Sequence, residues 1–179
     1  WNRCYEPWRM ERDAAIKEYL KTKGIGVESA NGALLWEPWT INKDDGTAYK
    51  VFTRFYRKGC LQAEPPRVPL PAPKNLECHQ DNEGSLSLSQ LKLLPEIHWD
   101  KQLEPHWEIG EGGAHTRCQN FIDEGLTYYK DGRNFPAKPN VSRLSPHLHF
   151  GELSPNQLWY AVRTISDDEH TDHFCSELG

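Results

Sequence analysis

Near the start of the chain, apolar residues recur at the spacing of one helical face. Between Pro7 and Lys23, Trp8, Ala15, Ile16, Tyr19 and Leu20 stand near that spacing with charges between them, which predicts an amphipathic helix. Gly24 and Gly26 end it, and Val27 to Ala30 is short, partly apolar and followed by Asn31-Gly32, the pattern of a strand and its turn. A helix followed by a strand is one unit of a parallel α/β sheet, and such a sheet needs more strands than these residues supply. Leu34 to Trp39 is too short to assign, and Lys43 to Gly46 is a turn. Helical spacing returns over residues 52–62, with Phe52, Phe55, Tyr56, Gly59 and Cys60 on one side and Thr53 as a candidate cap. Most such aromatic stripes are core.

The pattern then breaks. From Ala63 to Pro105 the prolines at 65, 66, 69, 71, 73, 95 and 105 exclude regular structure, and Asp81 to Ser89 is polar, so the stretch reads as a linker. Periodicity resumes from Gly112 to Lys130, where Ala114, Cys118, Phe121, Ile122, Leu126 and Tyr129 share a face. Further on, Ser145-Pro146 and Ser154-Pro155 each offer a hydroxyl at an N-cap and a proline at the first helical position. Gly151 lies between them as a stop, which limits the first of these helices to a turn or two, a length that persists only when something else holds it. The second runs from Pro155 to about Thr164 with Leu158, Trp159 and Val162 inward, and helix is expected again from about Asp168.

Composition narrows the setting. An apolar content of 37% and seven tryptophans in 179 residues suit a globular protein, no run approaches the length of a membrane span, and no signal-peptide pattern opens the chain, so the cytoplasm is the expected location. Five cysteines at irregular spacing (Cys4, Cys60, Cys78, Cys118, Cys175) point to reduced thiols. A net charge of −5 gives no global attraction to nucleic acid, so any such contact needs a local patch. Lys130, Arg133, Lys138 and Arg143 around the single Asp131 form one. His115 with Cys118, His147 with His149, and His170 and His173 with Cys175 reproduce no four-ligand zinc spacing, and no metal is expected. His147 and His149 are expected beside the helix mouth or in solvent. The chain opens on Trp1, and its single methionine, Met10, falls inside a helical pattern, so it reads as a central slice of a longer protein.

The segment Val141-Ser-Arg-Leu-Ser145 combines hydroxyls, a guanidinium and the free amides of a helix start, the ingredients of a phosphate cradle. SRLSPHLHFGELSPNQLW, preceded by Tyr129, Arg133 and Phe135-Pro136, resembles the flavin-phosphate-binding signature of the photolyase and cryptochrome family. WNRCYEPWRMERD, LLWEPW, YKVFTRFYRKGCL and PLPAP resemble the same family in the same order. The resemblance implies an α/β fold followed by an all-α one. Residues 1–62 would be the C-terminal part of a parallel-sheet α/β antenna domain, 63–105 the linker, and 106–179 the start of a helical FAD-binding domain. It implies FAD contacts at Tyr129, Val141, Ser142, Arg143, Leu144 and Ser145, with valine at 141 where the family commonly has threonine. A hydroxyl contact is lost there, worth on the order of 1 kcal/mol. It also implies a DNA-phosphate contact at Arg133 and, at Glu6, proximity to an antenna pigment, either a folate or a deazaflavin.

The activity so implied is light-driven splitting of cyclobutane pyrimidine dimers in damaged DNA by an electron from photoexcited reduced FAD, the dimer being flipped out of the stack by a monomeric enzyme. No residue of this stretch needs to be a catalytic acid or base. The alternatives are a cryptochrome, which senses light on the same fold without repair, and, more remotely, a structural or metal-binding module built on the histidines.

Overall fold

The computed structural model describes residues 1–77 and 84–179; the expectations for Cys78 and for the polar stretch beginning at Asp81 fall at least partly outside these. Helix α1 (Pro7–Thr22) starts on a proline and ends at Gly24, whose φ of 70° suits a residue without a Cβ. Its apolar side is not buried: Trp8, Ile16 and Tyr19 are 59%, 42% and 61% exposed. Against the expectation of a strand over Val27–Ala30, no strand forms among the described residues. Pairing stops at one parallel bridge between Asn2 and Ala30, made by Arg3 N donating to Ala30 O (2.9 Å) and Ala30 N to Trp1 O (3.1 Å). A single bridge lacks the neighbouring pairs that make a ladder cooperative.

The second helical run begins as α2 (Phe52–Arg54), widens into a π-turn (Phe55–Gly59) and tightens into a 3-10 turn (Cys60–Gln62). Val51, not Thr53, occupies its cap position, with no side-chain cap. Tyr56, Gly59 and Cys60 are buried, whereas Phe52 is exposed and stacks on Tyr56 (5.8 Å between centroids). The proline-rich stretch is more ordered than its composition suggests. Tyr160 Oη donates to Pro66 O (2.5 Å), Asn156 Nδ2 to Arg67 O (2.8 Å) and Trp36 Nε1 to Glu64 O (2.9 Å), and three single 3-10 turns occur at Leu88–Leu91, Trp99–Gln102 and Glu104–His106.

The helical part opens with α3 (Glu111–Asn120), which passes through a π-turn (Phe121–Gly125) and a 3-10 turn (Leu126–Tyr128) into α4 (Tyr129–Gly132). All six apolar positions expected on its inner face are buried. Helix α5 (Ser145–Phe150) is a turn and a half long and stops at Gly151 with φ 72°. Ser145 is its first helical residue and not its cap; Leu144 takes the cap position and no side chain caps it. The second Ser-Pro pair does what its sequence predicts: Ser154 Oγ accepts from Gln157 N, and Gln157 reciprocates, at the start of α6 (Pro155–Arg163). Asp168 likewise caps α7 (Glu169–Leu178).

One buried core joins Leu35, Ile41, Tyr56 and Cys60 to the residues of α3 through α7, among them Leu144, Leu158, Val162 and Phe174. Ion pairs from Arg57 (2.6 Å) and Arg163 (3.5 Å) to Asp172 fasten the same contact at its edge. Burial pushes the Cys60 and Cys175 thiols up from 9.0 to about 11 and the Tyr56 phenol from 10.0 to about 12. Their folded forms hold the proton more tightly than the unfolded chain does. The stability this confers is complete below the ordinary thiol value and is lost as pH climbs through the folded values. Urea midpoints are therefore expected to hold up to about pH 9 and then fall toward pH 11, with a smaller fall in Cys175→Ala; equal falls in the two proteins would contradict this.

The loop between α4 and α5 is held by a close approach. A Cβ at Gly132 would lie 2.2 Å from Asn140 Oδ1, and Asn140, itself buried, donates from Nδ2 to Gly125 O at 2.9 Å. Gly132→Ala is expected to lower stability by about 1–3 kcal/mol through overpacking, read from denaturant unfolding, and a wild-type midpoint would contradict the fit.

Candidate functional site: an anion cradle between α3 and α5

Between two buried residues, Asn140 and Leu144 (6% and 1% exposed), the backbone bulges outward through Val141, Ser142 and Arg143. Arg143 has φ 55°, a left-handed conformation that costs a non-glycine residue roughly 1–2 kcal/mol. Leu144 follows with φ −91° and ψ −5°. A left-handed residue followed by a right-handed one turns successive amides toward one side, forming a concavity that suits an anion. None of the amides from Val141 to Ser145 donates to an acceptor among the described residues. Strained backbone and unpaired amides coincide here, the combination met at ligand clamps.

The bulge lines a cleft of about 330 Å³. Arg143 and Ser142 stand on one wall with Lys138 beside them, and Arg117 and Phe121 come from α3 and its π-turn. Glu108 and Glu124 add two carboxylates against the three cations, leaving a small positive excess. Arg117 also lies over the Trp107 ring (5.3 Å), which fixes its direction. Arg117 escaped the sequence reading, although it stands four residues before Phe121 and so shares its helical face.

The remaining residues of the expected cradle lie elsewhere. Leu144 is core, and Ser145 is exposed but outside the cleft lining. Tyr129 does not line the cleft either. Its ring packs against Phe121 (5.6 Å) and Phe174 (5.0 Å), and burial raises its hydroxyl above the ordinary value. It borders the site only through Phe121. His147 is buried, its Nδ1 2.6 Å from Glu152 Oε2, and its carbonyl accepts from Glu152 N (2.9 Å), so this one residue pins the end of α5; His149 is exposed.

Arg133 is not free. It pairs with Glu177, and that hydrogen bond raises its pKa. Lys130 is held by Glu169 at 2.6 Å. Of the four-cation patch, then, two members are engaged by α7 and two border the cleft. Glu6 sits exposed at the cap of α1, 3.5 Å from Arg9, and does not line the 180 Å³ apolar hollow formed nearby by Trp1, Tyr5, Met10 and Trp39.

Comparison with known proteins identifies the family of the chain. The family model described as DNA photolyase matches residues 1–74. The deoxyribodipyrimidine photo-lyase of Agrobacterium fabrum is 41% identical over 167 residues, which cover 93% of this chain and 35% of that protein. The crystal structure of a class III photolyase from Agrobacterium tumefaciens superposes with a TM-score of 0.89 at 38% identity, covering 99% of this chain and 38% of that one. Cryptochrome-2 of Arabidopsis thaliana is 32% identical over 168 residues, covering 91% of this chain and 27% of that protein. The chain thus spans about a third of the length of the curated relatives it matches. It belongs to the photolyase and cryptochrome family.

If the bulge binds a phosphate, removing the Arg143 side chain should separate binding from folding. Arg143→Gly relieves the left-handed strain, so the unfolding free energy is expected to stay level or rise by up to about 1 kcal/mol. Affinity for FAD should fall about tenfold, the worth of one charge-assisted hydrogen bond. Unchanged FAD affinity in a titration would remove Arg143 from the site.

Proposed function

We propose that this chain is part of a light-dependent DNA repair enzyme, a deoxyribodipyrimidine photolyase acting on cyclobutane pyrimidine dimers. The observation that carries the reading is the left-handed turn at Arg143, with its unpaired amides, in a cleft of net positive charge. The donor set fits the diphosphate of FAD: neutral amides and the Ser142 hydroxyl can donate to its oxygens, while Arg143, Lys138 and Arg117 balance its charge. Val141 offers only its backbone. When bound, the flavin supplies light absorption and the transferable electron.

The protein's own task here is positional. The anchors Asn140 and Leu144 hold the bulge, and His147 with Glu152 holds the short helix behind it. In this reading residues 1–62 belong to the C-terminal part of the α/β antenna domain and 63–105 to the interdomain linker. Residues 106–179 begin the helical flavin domain. The exposed Trp8, Ile16 and Tyr19 of α1 fit an element whose partners lie in the rest of such a domain. Arg133 contacts a DNA phosphate, which positions the duplex without reading its sequence.

A cryptochrome is the second reading, favoured by the 32% identity to Cryptochrome-2. Full-length protein loaded with FAD and illuminated with blue light should remove dimers from irradiated DNA and leave them intact in the dark. Photoreduction of the flavin with no loss of dimers would instead assign the chain to the photoreceptors.

A further inference from the structure

We propose that Trp107 is a positioning residue for the flavin site: packed against both Arg117 of α3 and His147 of α5, it sets where the Arg117 guanidinium stands in the cleft. The inference rests on the reading of that cleft as the seat of the FAD diphosphate and adds residues that act on it without lining it. Trp107 follows directly on the 3-10 turn Glu104–His106 and is half-buried. The Arg117 Cζ lies 5.3 Å from the centre of its ring, and the His147 imidazole meets the same side chain edge to face, with 6.3 Å between centroids. Arg117 lines the cleft, whereas Trp107 and His147 do not.

Arg117 depends on this support because no carboxylate directs it. Among the described residues its guanidinium has no hydrogen-bond or ion-pair partner, so the attraction of the Trp107 ring is the interaction that orients it. The ring is itself fixed from two elements. On α3, the chain at Glu108 runs so close that a Cβ at Gly113 would collide with the Glu108 carbonyl, which keeps residues 107 and 108 tight on the first turn of that helix. On α5, His147 is 2% exposed and its Nδ1 lies 2.6 Å from Glu152 Oε2. Its Nε2 is buried without a partner among the described residues, so Glu152 is the polar group that sets the direction of the imidazole. One line of contacts thus runs from Glu152 through His147 and Trp107 to Arg117, and joins α3 to the helix that the bulge opens into. Holding a long side chain in one place costs conformational entropy. Where that cost is met before the anion arrives, more of the charge attraction appears as affinity.

The test is a titration of FAD into full-length protein freed of its flavin, with unfolding midpoints to report whether each variant is folded. Arg117→Ala is expected to weaken FAD binding about tenfold. Trp107→Leu removes the ring but keeps an apolar side chain, and should weaken binding about three- to tenfold; Trp107→Phe restores a ring and should come within about twofold of wild type. In the Arg117→Ala background, Trp107→Leu should change affinity by no more than about twofold, because the group it positions is gone. His147→Asn keeps a donor for Glu152 and loses the ring that packs on Trp107. It is expected to weaken binding about threefold with Arg117 present and to have no effect without it. Trp107→Met takes the place of Trp107→Leu should that variant fail to fold.

If Trp107→Leu weakens binding by the same factor with and without Arg117, Trp107 only supports the fold, and the inference is wrong. It is wrong too if Arg117→Ala weakens binding while Trp107→Leu does not. An effect of His147→Asn that is absent, or equal in the two backgrounds, would overturn the part given to α5. Should Arg117→Ala leave affinity unchanged while Arg143→Gly lowers it, the cradle stands and the positioning role alone fails. Unchanged affinity in both of those variants removes the cleft from flavin binding, and the inference with it.

Discussion

The site depends on one constraint, the outward bulge of three residues between two buried anchors. Asn140 is fixed because its amide reaches the Gly125 carbonyl and its side chain fills the space left by the missing Cβ of Gly132. Leu144 is fixed by the core. With both ends held, Val141, Ser142 and Arg143 have too little freedom to fold back and pair their amides, and Arg143 is forced to positive φ. Two buried anchors can offset the roughly 1–2 kcal/mol of that strain, as a flexible loop could not. The glycines at 125 and 132 thereby act on the cleft without touching its contents.

Electrostatics divides the same segment. The four cations between residues 130 and 143 stand close in sequence but not in role. Lys130 and Arg133 project toward α7 and meet Glu169 and Glu177, whereas Lys138 and Arg143 border the cleft. Within the cleft Glu108 and Glu124 keep the excess of positive charge small. Such a balance favours an anion of limited charge held by directed hydrogen bonds over nonspecific attraction to any polyanion.

Much of the helical part was legible in the sequence because its signals are local. Six apolar positions from Ala114 to Tyr129 follow a 3.6-residue period and are all buried, Gly151 stops α5, and Ser154 with Gln157 closes a capping box. The misreadings have non-local causes. Ser145-Pro146 looks identical to Ser154-Pro155 in sequence, yet the burial of Leu144 and the turn at Arg143 start the helix one residue early. The Val27–Ala30 strand and the inward face of α1 were expected from correct local patterns, but both need partners that these residues do not provide. The cradle is a different case: of the five consecutive positions that sequence and resemblance marked, Val141, Ser142 and Arg143 line the cleft, together with Arg117 from another helix. No spacing rule places residues 117 and 143 on one cleft, because the cleft exists only once the loop is folded.

The most direct measurement is amide hydrogen exchange of residues 141–145 in the full-length protein, with and without FAD. The account requires these unpaired amides to exchange fast in the flavin-free protein and to be protected when the diphosphate accepts from them, with Gly132 and Asn140 little changed. Tight FAD binding that leaves exchange at 141–145 unaltered would show that the bulge holds no phosphate.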